Sequence, residues 1–209
     1  MDIKIKYIAQ KVIAKTKVII ESKKIKKSLH KADSVRVIVG AGSTSYNGWI
    51  STDYPLLDIC KEQSWHELFE LGMIDALLAE HVFEHLTDNE VELALFNSYK
   101  FIKKGGYIRI AVPDGFHSSR SYIDLIKPGG TGIGSDDHKQ LFNYTSLSEK
   151  LITAGFSVKL LEWYDEYKVF NYRDWVIEDG LILRSSSFDE RNINNPNTYT
   201  SLIIDAVKE

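Results

Sequence analysis

Cys60 is the only cysteine among the 209 residues, so no intrachain disulfide can form and nothing suggests a secreted or extracellular scaffold. No apolar run approaches the ~18 residues of a membrane span, and the N-terminal segment lacks the uninterrupted apolar centre of a signal peptide. The expectation is a cytoplasmic protein. There is no internal repeat and no low-complexity tract beyond a scatter of lysines. At 44% apolar and 26% charged residues, the chain can bury roughly 70% of its unfolded surface in one core without disulfides or structural metals.

Acidic residues are scarce at one end. Residues 1–34 hold ten lysines against Asp2, Glu21 and Asp33, a formal +7, which leaves −10 on the remainder of a chain whose total is −3. A basic appendage precedes an acidic body. Ile5, Ile8, Val12, Ile13, Val18, Ile19 and Ile25 fall loosely at helical spacing among the lysines, predicting one or two amphipathic helices. With Tyr7 its only aromatic, the segment lacks the interleaved rings of a nucleic-acid platform.

The composition changes at Ser34, and the remainder, 35–209, is expected to be one domain. Val35 to Val39 is a β-branched run ending in glycine, the mark of a buried strand. Gly48 to Thr52, closed by Asp53, is a plausible second strand, Ile74 to Ala79 a further buried strand, and Tyr107 to Val112 another, closed by Pro113. Capping-box pairs are found at Ser64 with Glu67, Thr87 with Glu90 and Ser146 with Glu149, with glycine stops at Gly72, Gly105 and Gly155. Phe156 to Trp163 and Tyr199 to Val207 read as the last two strands. Residues 164–198 between them form an aromatic-rich insertion too long for a hairpin connection. Strands alternating with helices predict an α/β three-layer domain with a mostly parallel sheet.

Ligands of open α/β sheets sit beyond the carboxyl ends of the strands, near the reversal of strand order. Gly40-Ala41-Gly42 follows the first strand, with minimal side chains that admit a ligand to the backbone, although a tight turn explains such a string equally well. Asp53, eleven residues beyond Gly42, is either an acceptor for ribose hydroxyls or a turn residue, because dinucleotide folds place that acid about 20 residues on. Asp58 is a further candidate, near an adenine.

Val35–Gly42, Gly48–Asp53, Ile74–Leu86 and Phe101–Asp114, in that order, resemble the class I S-adenosylmethionine-dependent methyltransferases, and most of all a small bacterial branch, some of it linked to surface-glycan synthesis. The resemblance implies a Rossmann-like three-layer sandwich with a seven-stranded sheet and an antiparallel last strand. It places Gly40, Ala41 and Gly42 at the amino-acid end of S-adenosylmethionine, Asp53 at its ribose and Asp58 at its adenine edge, with Glu80 and His81 lining the pocket. Ile38, where the wider family often has an acid, and Ser43-Thr44, which supply no third glycine, depart from the pattern.

Three motifs carry competing readings. His81-Val82-Phe83-Glu84-His85 matches the H-x-x-E-H zinc string, which needs both histidines on one helix, yet it directly follows a strand. Gly129 to Gly134 lacks the lysine and hydroxyl of a phosphate loop and reads as a flexible lid. Asp136-Asp137-His138-Lys139 is a catalytic or metal site, or a solvated turn. The expected activity is methyl transfer to a small or glycan-related acceptor. An alcohol acceptor needs a base, for which His81, Asp114, His117 and His138 are the candidates. The alternative is an inactive cofactor-binding scaffold of the same fold. The lysine-rich segment is expected to contact anionic membrane surfaces peripherally.

Overall fold

The computed structural model describes residues 3–30 and 32–209, and of residues 3–11 and 14 the backbone alone. Met1, Asp2 and Lys31 of the basic segment lie outside the described residues, as do the side chains of Ile5, Tyr7 and Ile8. The segment forms one helix, α1 (Ile3–Leu29). Ile25, near its end, is buried in the domain's core, while Val12, Ile13, Ile19 and Ile20 are exposed.

Strands β1 (Arg36–Val39), β2 (Ile50–Ser51), β3 (Ile74–Glu80), β4 (Ile102–Pro113), β5 (Ser157–Tyr164), β6 (Phe170–Tyr172) and β7 (Ser201–Val207) form one sheet in the order β2-β1-β3-β4-β7-β5-β6. β1 is parallel to β2 and β3, and β3 to β4. The last strand, β7, inserts antiparallel between β4 and β5, as expected. The short β6, within the predicted insertion, pairs antiparallel with β5 at the edge.

Alternation along the strands sorts side chains to two faces. Val37, Val39, Leu77, Ile108, Ile110, Leu202 and Ile204 meet α2 (Glu62–His66), α3 (Asp88–Phe101) and α5 (Tyr144–Thr153) through Trp65, Leu95, Phe101 and Leu151. Trp65 and Phe101 stack at 5.3 Å. The opposite residues Ile38, Leu78, Ala111, Leu161 and Ile203 pack under Ile182, Trp49 and Trp175, so part of this outer layer is irregular chain.

The Thr87–Glu90 capping box forms as predicted and starts α3. The Ser64 pair does not, because the Ser64 hydroxyl accepts the Asp58 amide at 2.8 Å and α2 starts two residues earlier. At α5 the cap is Asn143, with Ser146 reaching back to its amide, one turn upstream of the expected Ser146–Glu149 pair. A short helix, α4 (Arg120–Ile126), capped by Ser119, follows β4 without a clear sequence signal.

Candidate functional site

From β1 the chain runs to β2 on one side and then returns to β3 on the other, so strand order reverses between β1 and β3. At the carboxyl ends of these strands lies a cavity of about 920 Å³. Its walls are Gly40–Thr44 after β1, Glu80, His81 and His85 at the end of β3, parts of 125–138, and Leu183, Arg184, Arg191 and Tyr199 from the connection into β7.

Gly40 and Gly42 both have positive φ, at 59° and 53°, a conformation that strains any residue with a Cβ. A Cβ on Gly40 would stand 2.5 Å from Val82 Cγ2, whereas one on Gly42 would meet nothing within 4 Å. The loop is fastened from below: the Ala41 amide donates to Thr52 O at 2.9 Å and the Gly42 amide to Asp53 Oδ2 at 3.0 Å. Asp53 Oδ1 accepts from the Tyr54 amide. Asp53 thus supports the glycine loop and is not among the cavity walls. Asp58 is also off the cavity, held by the Cys60 amide and Lys61 Nζ.

Glu80 faces the cavity and ties its two sides together, accepting the Arg184 and Leu183 amides at 2.8 and 3.2 Å. His81 is held in left-handed backbone at φ 55°, an uncommon state that persists only where surrounding contacts impose it. Those contacts are its amide to Ala111 O at 2.8 Å, Nε2 at 2.9 Å from Ser201 Oγ, and Nδ1 at 2.9 Å from Glu84 Oε1. Burial pushes the Glu84 carboxyl up, but His81, the residue's own amide and His85 outweigh it and hold the group below the ordinary range.

The chain from 81 to 85 is a strand end followed by a 3-10 turn at Phe83–His85, so the zinc-protease arrangement of two histidines on one helix is absent. His138 comes to the same wall because the Lys139 and Gln140 amides donate to Glu84 O at 2.8 and 3.2 Å. The His138 Nδ1–H donates to Ile126 O at 2.7 Å, and its ring meets that of His85 edge-on at 4.7 Å. Within Gly129–Gly134, Gly130 and Gly132 close against the end of α4, with the Gly130 amide on Lys127 O at 2.7 Å and the Gly132 amide on Leu125 O at 3.0 Å, so these two amides are not free for a phosphate.

The structure brings Gly40, Ala41, Gly42, Glu80, His81 and His138 together around the cavity and leaves Asp114 and His117 outside it. Asp114 is fully buried and accepts the Tyr164 and Phe116 amides at 2.7 and 2.8 Å. Burial pushes its carboxyl up to about 6 against those two donors. His117 stacks on Tyr122 at 3.9 Å, accepts the Ser119 amide at Nδ1 and donates from Nε2 to Asn197 O. Burial lowers it to about 4, so the ring is neutral. Arg184, Arg191 and Tyr199 escaped sequence reasoning, because the connection reaches the cavity only through tertiary contacts.

No protein-family model matches the chain, and no curated protein does. Solved structures do. An S-adenosylmethionine-dependent methyltransferase of Thermotoga maritima aligns over 99% of this chain and 96% of its own at 14% identity and a TM-score of 0.50. One from Archaeoglobus fulgidus aligns over 88% and 94% at 16% identity and 0.47, and one from Mesorhizobium loti over 86% and 95% at 10% identity and 0.47. The Thermotoga alignment, over nearly the whole of both chains, shows that this chain shares that protein's Rossmann-like fold.

Proposed function

We propose that the chain is an S-adenosylmethionine-dependent methyltransferase acting on a small-molecule or glycan-related acceptor in the cytoplasm. The observation that supports it most is the glycine loop at the strand-order reversal, opening into the cavity where α/β sheets bind their ligands. The residues present suit the cofactor. Gly42 offers open space in place of a side chain, and the Glu80 carboxylate on the wall suits a cationic sulfonium. A cavity of about 920 Å³ has room for an acceptor as well.

Bound there, the cofactor supplies an electrophilic methyl group, and alignment of the acceptor with it can account for up to ~7–11 kcal/mol of barrier. Gly40, Ala41 and Gly42 hold the cofactor in this reading, with Asp53 positioning the Gly42 amide. Of the four acid–base candidates, His81 and His138 face the acceptor space. His81, pinned between Ser201 and Glu84, is the orienting group there. The lysine-rich α1 holds the enzyme at anionic membrane surfaces or lipid-linked acceptors, and no described helix is long and apolar enough to cross a membrane.

Calorimetry with S-adenosylmethionine, followed by methyl transfer from labelled cofactor to a panel of amines, phenols and sugars, tests the proposal. Micromolar binding with transfer to one class is the expected result. His81→Ala should depress turnover much more than cofactor affinity. Cofactor binding without transfer to any acceptor returns the scaffold reading, and no binding removes both.

A further inference from the structure

The sequence held two unplaced metal-like strings, His81–His85 and Asp136–Lys139, and the fold brings their ends together. Potential ligand atoms of Glu84, His85 and His138 all lie within 4.8 Å of one another. We propose that these three side chains form a binding site for a first-row divalent transition metal of the zinc class, with Asp137 able to join them.

Four observations carry the proposal. First, Glu84 is 1% exposed, and although His81 Nδ1 stands 2.9 Å from Oε1, its other oxygen, Oε2, has no partner among the described residues. A buried carboxylate left so needs a cation or a donor. Second, His85 Nδ1 is equally buried and unsatisfied, yet stands 2.8 Å from Asp137 Oδ1 without the alignment of a hydrogen bond. Ligand atoms that share a tetrahedral ion at ~2.0–2.2 Å lie ~3.3–3.6 Å apart, so this pair has only to open by about half an ångström to hold one. Third, His138 Nδ1–H is spent on Ile126 O. That bond fixes the tautomer, leaves the Nε2 lone pair free, and is the outer bond that metal-ligating histidines ordinarily make. Fourth, the two amide bonds to Glu84 O lock the segments carrying His85 and His138 together before any ion arrives.

The donor set selects the metal. Two imidazoles and a carboxylate suit zinc, iron or nickel, whereas calcium and magnesium prefer oxygen alone. Since His85 and His138 line the cavity, an ion held by three protein ligands keeps an open coordination position, the form of a catalytic rather than a structural site. The site does not depend on methyl transfer, and metal stoichiometry reads it whether or not the chain binds the sulfonium cofactor.

The test uses the full-length chain stripped with a chelator, dialysed, and titrated with Zn²⁺, Mn²⁺ and Mg²⁺ in a calorimeter, with bound metal counted by mass spectrometry. One Zn²⁺ per chain is expected, bound at least 100-fold more tightly than Mg²⁺. His85→Ala, His138→Ala and the near-isosteric Glu84→Gln should each weaken Zn²⁺ at least tenfold, while His66→Ala, at a surface site, leaves it unchanged. Circular dichroism confirms that each variant is folded, and at least one of the two half-exposed histidine variants suffices for the comparison. No Zn²⁺ on the wild-type chain, Zn²⁺ lost equally in His66→Ala, or equal affinity in folded His85→Ala and His138→Ala overturns the site. Stronger Mg²⁺ than Zn²⁺ binding overturns the metal class.

Discussion

Arg109 and Asp205 face each other across the antiparallel β4–β7 pair, joined in the buried sheet by two hydrogen bonds of 2.7 and 2.8 Å. The remaining guanidinium nitrogen donates to Gly180 O at 2.7 Å and Val176 O at 3.1 Å, and Trp175 lies over the cation at 5.0 Å. The pair therefore fixes the 175–180 chain, with its 3-10 turn at Ile177–Asp179, over the sheet face that carries Ile38, Leu78 and Ala111. Removing one member leaves the other buried and uncompensated, so Asp205→Ala should cost about 3–5 kcal/mol of stability in urea unfolding. Amides of 176–182 should lose hydrogen-exchange protection first. A loss below 1 kcal/mol contradicts this role.

Asp114 and His117, three residues apart, respond to pH in opposite directions. Burial, only partly offset by the Tyr164 and Phe116 amides, raises the Asp114 carboxyl to about 6. Its contribution to stability is complete below an unfolded value of about 3.9 and is lost as pH rises through 6. Burial lowers His117 to about 4, so its contribution is complete above about 6.5 and is lost as pH falls through 4. Each shift corresponds to about 3 kcal/mol, and over pH 4–6.5 the two slopes largely cancel. Asp114→Asn removes one of them, and its urea midpoint should climb with pH across that window while the parent's stays nearly level. A level variant refutes the assignment.

The glycine loop makes a paired prediction. Gly40→Ala drives a methyl to 2.5 Å from Val82 Cγ2 at φ 59°, and should cost about 1–3 kcal/mol. Gly42→Ala meets no neighbour and carries only backbone strain of about 1 kcal/mol, so the protein stays folded. Its methyl points into space where the backbone is to meet the cofactor, and S-adenosylmethionine affinity should fall at least tenfold in calorimetry. Unchanged affinity removes this loop from the cofactor site.

What the sequence disclosed was what depends on near neighbours. The Thr87–Glu90 box is satisfied within one turn, and buried runs such as Ile74–Ala79 need two covered faces wherever they lie, so both were legible. Ser64 failed because the Asp58 amide competed for its hydroxyl, a contact that composition does not signal. Asp53 was legible as a residue at the end of β2, but its grip on the Gly42 amide required the folded loop. His85 and His138 stand 53 residues apart, and the amide bonds that unite them run to Glu84 O, an atom every residue possesses. Asp114 and His117 had the right chemistry and the right place after a strand. Their orientation into the core is set by Tyr122 and Tyr164, aromatic partners outside any local pattern.

The basic helix yields the last prediction. Lys23, Lys26 and Lys27 are exposed near the end of α1, whereas Lys24 is paired with Glu21 at 2.9 Å. Ile19 and Ile20 are exposed one to two turns away, while Ile25 anchors the helix in the core. Deleting the helix would uncover that core, so charge reversal is the cleaner probe. Each lysine near an anionic surface contributes about 1 kcal/mol, screened beyond ~10 Å at 0.1 M salt, and the formal −10 of the body opposes approach by its other faces. The full-length chain should co-sediment with phosphatidylserine-containing vesicles at low salt and release at high salt. Lys23→Glu, Lys26→Glu and Lys27→Glu combined should abolish binding without moving the melting temperature by more than about 2 °C, because exposed substitutions are usually worth less than ~0.5 kcal/mol. If the parent ignores anionic vesicles at low salt, or the triple variant binds as well as the parent, α1 serves packing alone and the lysines are a solvated face.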